Sequence, residues 1–238
     1  GKLREIGIQP HVLICRTEQA MDEDMARKIS LFCNVRPEAV IEERDVDFSI
    51  YEVPLMLMRS GLDKRIFSQL DLQPKRAADT SDWERMLQVV KNPEHTVEIA
   101  VSGKYIELHD AYKSIYESLH HAGIAHACKI KLRKVAAEQV ADDGPEKHLA
   151  GVDGILVPGG FGERGFEGKI ASIRYARTNK IPFFGICYGM QAAVVEYARS
   201  VLGITNATTT EYDPNAQNPV ISLMEEQKRV QEKGGSMR

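Results

Sequence analysis

Nothing in this 238-residue sequence approaches the ~20 consecutive apolar residues that cross a bilayer. The opening Gly1-Lys2-Leu3-Arg4-Glu5 has no apolar h-region behind it, so a secretory leader is not expected. A net charge of −3 leaves no broad footprint for nucleic acid or an anionic membrane, and neither is expected as a partner. The four cysteines (Cys15, Cys33, Cys128 and Cys187) form no CxxC pair and no metal-ligand spacing, so no metal site is expected. Cys15 and Cys33 sit in apolar company and read as reduced core residues, which suits the cytoplasm. A Gly-x-x-x-x-Gly-Lys-Ser/Thr phosphate loop is also missing. The histidines at 11, 95, 109, 120, 121, 126 and 148 all precede Cys187, and read as surface or capping residues. The chain opens without Met and closes on Lys-Gly-Gly-Ser-Met-Arg with no closing element, so both ends read as cut.

What is present is an α/β pattern. Pro10 to Arg16 reads as a buried strand and 22–33 as a helix with Met25, Ile29 and Phe32 at helical spacing. Asp22, Glu23 and Asp24 favour its start. Val40-Ile41 suggests another strand, and Tyr51 to Ser60 a helix with Pro54 in its first turn. Residues 71–82 are polar and aperiodic, a linker, followed by a helix around Trp83, Leu87 and Val90 that ends at Asn92-Pro93. From 96 onward, strands are expected at 96–101, 129–133, 152–157 and 181–186, and helices at 110–121, 167–179 and 188–200. Gly123 would lie just past the first of these helices, and 136–149 would be a polar excursion. Strands alternating with helices predict an open parallel sheet of flavodoxin-like type, with ligands beyond the carboxyl ends of its strands.

Two loops fall at such ends. Gly185-Ile186-Cys187-Tyr188-Gly189 has the Gly-x-nucleophile-x-Gly form of a nucleophile elbow, with Cys in place of Ser. Glycines on either side permit a sharp reversal, and a helix N-terminus favours thiolate over thiol. Pro158-Gly159-Gly160-Phe161-Gly162 follows the preceding strand. Its paired glycines can bring a backbone N–H against an acyl group, making an oxyanion hole with the amide that follows Cys187.

Gly185 to Gln191 resembles the nucleophile motif of the triad-type, class I glutamine amidotransferases. Val157 to Gly165 with Glu167-Gly168-Lys169, and Gly103 to Leu108 with Asp110 to Ser114, resemble the CTP synthase family in particular. Leu31 to Val35, Asp45-Val46-Asp47 and Thr210 to Pro214 extend the likeness along the whole chain. Tyr188 stands where that family commonly has Leu, and Gly-Ile-Cys-Tyr-Gly also resembles GMP synthetase, although the other segments do not.

The resemblance implies ATP-dependent amination of UTP to CTP, with ammonia released from glutamine at Cys187. It implies that Gly160, Tyr188, Gly189, Met190, Gln191 and Glu211 receive the oxyanion and the glutamine. Arg16, Lys28, Arg44, Asp45 and Val46 match nucleotide-contacting positions, and Arg164 is a candidate for coupling to GTP as effector. Implied partners are glutamine, ATP, UTP or CTP, and further copies in a homotetramer. Mg²⁺ would accompany ATP, with ligands outside this chain. The implied organisation is the end of a P-loop-type synthase domain at 1–70, a linker with its helix at 71–94, and an amidotransferase domain at 95–238. The family's catalytic His-Pro-Glu would follow Arg238, so the chain alone is expected to be inactive. The alternative from another class is a non-catalytic remnant serving as a binding or assembly module.

Overall fold

The computed structural model describes residues 2–108, 110–222 and 224. The chain forms two compact units, 1–91 and 92–238.

The first unit runs α1 (Lys2–Glu5), β1 (Leu13–Thr17), α2 (Glu23–Cys33), β2 (Val40–Arg44), α3 (Val53–Arg59), α4 (Leu62–Gln69) and α5 (Ser81–Lys91). Asp22 caps α2, its carboxylate accepting from the Met25 amide at 2.7 Å, and Pro54 occupies the first turn of α3, where no intrahelical N–H is needed. β1 and β2 pair in parallel, Leu13 opposite Val40 through Thr17 opposite Arg44. Two strands cannot enclose both of their faces. Ile14 therefore stays half exposed, and Cys15 and Cys33 are only half-buried rather than core residues. On α2, two of the three expected apolar positions are open too, Met25 and Phe32, the latter 82% exposed, while Ile29 is half-buried. The helix that the sequence reading attaches to the linker, α5, packs within this unit: the Trp83 indole N–H donates to the Tyr51 carbonyl at 2.7 Å, and Leu87 is buried.

In the second unit the order is β3 (His95–Gly103), α6 (Lys113–Ala125), β4 (Cys128–Ala136), α7 (Ala137–Asp143), α8 (Pro145–Leu149), β5 (Gly154–Val157), α9 (Phe166–Thr178), β6 (Phe183–Gly185), α10 (Tyr188–Ser200), β7 (Ala207–Thr209) and β8 (Asn218–Ile221). The sheet order is β4-β3-β5-β6, all parallel, which is the flavodoxin-like sequence of strands. Alternation fills both faces. Ala100, Ile155 and Val157 point into a core with Phe166, Ile170, Ile173, Ala192 and Val195, while Val101 and Leu156 meet Tyr112 and Tyr116 on the opposite side.

Three expectations are corrected. Gly123 lies inside α6 rather than past its end, because a Cβ there would stand 2.7 Å from the Cys128 carbonyl oxygen; the glycine lets the helix close on β4. Residues 137–149 are two short helices, anchored by the buried Ala137, Val140 and Leu149. No strand is expected after 186, yet β7 and β8 pair in parallel on either side of the Thr210 to Pro214 motif.

Candidate active site

The ends of β3, β5 and β6 meet where the sheet order changes direction from β3 toward β4 on one side and β5 on the other. Val157 is in register with Gly185, so the loops that follow them begin side by side. The loop after β6 turns back at once. Cys187 has φ +54° and ψ −111°, a left-handed conformation that a non-glycine residue adopts only when its surroundings impose it. Both flanking glycines are sterically required. A Cβ on Gly189 would lie 2.0 Å from the Val157 carbonyl oxygen, and one on Gly185 would lie 2.8 Å from Gly189 backbone atoms. The Ile186 amide donates to the Val157 carbonyl at 3.0 Å, and the Gln191 amide to the Cys187 carbonyl at 3.1 Å. The result is an exposed cysteine at the first turn of α10.

The loop after β5 lies against that cysteine. A Cβ position on Gly159 is 3.5 Å from Cys187 Cβ and 3.9 Å from its Sγ. Gly160 has φ +122°, which L side chains rarely adopt. Three side chains hold the loop's carbonyls. The Tyr112 hydroxyl donates to the Gly159 carbonyl at 3.4 Å, Lys169 Nζ to that of Gly160 at 2.9 Å, and Lys104 Nζ to that of Phe161 at 2.9 Å. Tyr112 Oη also accepts from the Lys104 and Tyr105 amides, at 3.2 and 3.3 Å, so the segment after β3 is bound to the same hydroxyl. Arg164 reaches back to the Lys104 carbonyl at 3.1 Å and pairs with Glu138 at 3.2 Å.

The sequence marks Lys169 only as one residue of a longer family likeness, and the structure places it beneath the glycine loop. It is fully buried on α9, with its ammonium 4.9 Å from the Tyr188 ring centroid. Burial, with Lys104 nearby, brings its pKa down to about 8, against the opposing pull of Cys187 and Glu138. The available signal was a lysine on the stripe of Phe166, Ile170 and Ile173, the buried face of the helix. Tyr105 and Tyr112 carried no such signal, since their roles arise from loop packing.

Tyr188 contributes its amide to the elbow, while its side chain lies in the core, 5.3 Å from both Phe161 and Phe166 by ring centroids. Burial and then Glu211 push its phenol far above the ordinary value. The hydroxyl has no hydrogen-bond partner among the described residues. An unsatisfied buried hydroxyl is costly, so Tyr188→Phe is expected to leave stability unchanged or raise it by about 1 kcal/mol. Urea unfolding midpoints of the two proteins check this. A loss of stability would mean that the phenol has a partner. Met190 is exposed and Gln191 half-buried on the first turn of α10, and exposed Glu211 lies in the turn after β7, its amide donating to Thr209 Oγ1 at 3.2 Å.

In the first unit, Arg16, Arg44, Asp45 and Val46 line one cleft of about 450 Å³ at the carboxyl ends of β1 and β2, with Arg16 Nε 2.6 Å from Asp45 Oδ1. Lys28 does not line it; it pairs with Asp24 one turn earlier on α2. Among the described residues no group of three or more His, Cys, Asp or Glu side chains is placed to hold a metal ion, and no helix is long and apolar enough to cross a membrane.

Comparison with known proteins matches residues 107–238 to the glutamine amidotransferase class-I family model, more than half of the chain. The chain belongs to that family. Residues 1–72 of this class I amidotransferase match a second model, the CTP synthase N-terminus. Over 237 residues, all of the chain, it is 54% identical to the CTP synthase of Caldanaerobacter subterraneus subsp. tengcongensis and 53% identical to that of Desulfitobacterium hafniense. It spans 44% of the length of each of these relatives. Among solved structures, the Trypanosoma brucei CTPS glutaminase domain with bound acivicin is similar at 40% identity and TM-score 0.51, over 54% of this chain and 50% of that one.

Proposed function

We propose that this chain carries the glutamine-hydrolysing site of a CTP synthase, with Cys187 as nucleophile. One observation carries the reading: the strained, exposed Cys187 sits against Gly159, the first glycine of a loop whose three successive carbonyls are each held by a side chain. Sγ attacks the side-chain amide carbon of glutamine, and charge gathers on the amide oxygen between the Gly160 and Tyr188 N–H groups. Gly189, Met190 and Gln191 on the first turn of α10, with Glu211, hold the glutamine head group. Ammonia leaves as a thioester forms, and water then releases glutamate. The proton for ammonia needs a positioned acid–base pair, which the family resemblance supplies as His-Pro-Glu.

Ammonia passes to a synthase site where ATP phosphorylates the uracil 4-oxygen of UTP and ammonia displaces the phosphate, giving CTP. Arg16, Arg44, Asp45 and Val46 form the nucleotide-facing part of that site in this chain, with Lys28 beside it in the proposal. Mg²⁺ comes with ATP, on ligands elsewhere in the protein. In this reading Arg164 couples GTP to the site, which its hydrogen bond to the Lys104 carbonyl and that lysine's bond to the Phe161 carbonyl support. The assembly is a homotetramer in the cytoplasm, where its thiols stay reduced.

Acivicin tests the site directly. It is expected to label Cys187 once per chain, and glutamine is expected to slow the labelling, as peptide mass spectrometry resolves. Labelling of Cys15, Cys33 or Cys128 instead, or no protection by glutamine, refutes the assignment.

A further inference from the structure

We propose that Lys169 is a positioning residue: it locks the Gly160–Phe161 peptide and keeps a positive charge on the same two-glycine turn that Cys187 lies against. The inference rests on the reading of Cys187 as nucleophile for its purpose, but not for its geometry.

Burying an ammonium is expensive unless a carboxylate pairs with it. Among the described residues Lys169 has no such pair, although it is 0% exposed. A methionine would fill the same volume without that cost. What the charge does have is the Gly160 carbonyl at 2.9 Å and the face of the Tyr188 ring at 4.9 Å. All peptide bonds described are trans. In a trans peptide the C=O and the following N–H point in opposite directions, so fixing one oxygen fixes the next amide. Tyr112 thereby orients the Gly160 N–H through the Gly159 carbonyl, and Lys169 orients the Phe161 N–H through the Gly160 carbonyl. Two consecutive peptides of a loop with φ +122° at Gly160 are locked this way, before any substrate arrives.

The ammonium and the sulfur both lie against the Gly159–Gly160 pair. Lys169 Nζ is 3.8 Å from the Cβ position of Gly160, and Cys187 Sγ is 3.9 Å from that of the adjacent Gly159. The charges facing Lys169 are Lys104 from the segment after β3, Glu138 from α7 and Cys187 from the elbow; Tyr188 presents only its ring. An ammonium held there attracts an anion that approaches the sulfur, and charge that develops on a group bound against the loop.

The test is the pair of rates at which iodoacetate, an anion, and iodoacetamide, its neutral counterpart, alkylate Cys187 in the full chain, resolved from the other cysteines by peptide mass spectrometry. Lys169→Met is expected to lower the iodoacetate-to-iodoacetamide ratio at pH 7 by about tenfold, the scale of one nearby charge at partial burial. Lys169→Arg should restore most of it. In the unaltered chain the ratio should fall toward the Met variant's value between pH 7 and 9.5, as the ammonium loses its proton. A Met variant with native circular dichroism and an unchanged ratio would show that Lys169 merely fills space. If that variant does not fold, a flat ratio in the unaltered chain across the same pH range overturns the proposal equally. Neither reading requires turnover of glutamine. Loss of glutamine protection against acivicin, with the ratio behaving as expected, would overturn the proposed function and leave the charge placement standing.

Discussion

Cys187→Ala, made in the whole protein that carries this chain, is expected to abolish glutamine-dependent CTP formation while sparing formation from free ammonia. Removing a covalent nucleophile takes away the thioester route altogether, and such losses run to about 10⁴-fold or more. The proposed oxyanion donors remain, since the Gly160 N–H is oriented by Tyr112 through the Gly159 carbonyl and the Tyr188 N–H by the start of α10, neither by the sulfur. Glutamine should therefore still bind. The synthase reaction is a different matter. Its proposed residues Arg16, Arg44, Asp45 and Val46 share a cleft in the first unit, and Cys187 belongs to the second. With ammonia supplied in solution, the rate should stay within about twofold, because no interaction of the nucleotide cleft is removed. The measurement is CTP appearance with glutamine and, separately, with ammonium chloride. Equal loss of both activities in a variant with native unfolding behaviour would mean that Cys187 is structural, or that the two sites do not act separately.

The alternation of β3 through α10 was legible because the strands show as short apolar runs or, for β4, as strict alternation, while the helices repeat apolar residues at helical spacing. The elbow was legible for a stronger reason: Gly185 and Gly189 cannot be replaced without collision, so the chemistry leaves its mark as a pattern of residues. What escaped was held together by distant packing. α7 and α8 look polar because Ala137, Val140 and Leu149 alone anchor them. β7 and β8, of three and four residues, are too short for a period to show. Gly123 imitates a helix stop and instead admits β4. The apolar positions of α2 had the right spacing, yet Phe32 and Met25 are exposed, since spacing says which residues share a face and not whether anything covers it. Lys169 is the converse case, a charge on a buried face whose reason appears only when the Gly160 carbonyl is seen beside it.

Gly189→Ala is the substitution expected to cost the fold most at the site. The added Cβ would stand 2.0 Å from the Val157 carbonyl oxygen and 2.8 Å from its carbon, both backbone atoms that cannot swing aside. Val157 is the last residue of β5, buried completely, and its carbonyl accepts the Ile186 amide that pins the elbow. Relief therefore requires α10 to move away from the end of β5, or the elbow to give up that hydrogen bond. Displacing α10 loosens Ala192 and Val195 from the core they share with Ile155 and Val157. Overpacking of a well-filled core costs about 1–3 kcal/mol, and the lost hydrogen bond adds about 1 kcal/mol. A destabilisation of roughly 2–4 kcal/mol is expected where both changes occur, and less where only one does. Gly151→Ala is the control. That glycine has φ +77° with nothing within 4 Å of a Cβ, so only the backbone conformation is penalised, by roughly 1–2 kcal/mol. Urea unfolding of the two variants separates the effects. In the folded fraction of Gly189→Ala, alkylation of Cys187 by acivicin should also slow markedly, because the sulfur no longer faces Gly159, whereas Gly151→Ala should label normally. A Gly189→Ala protein that unfolds at the same urea concentration as the parent would show that α10 already has room to shift, and that the strain at Cys187 is not enforced by the contact with Val157.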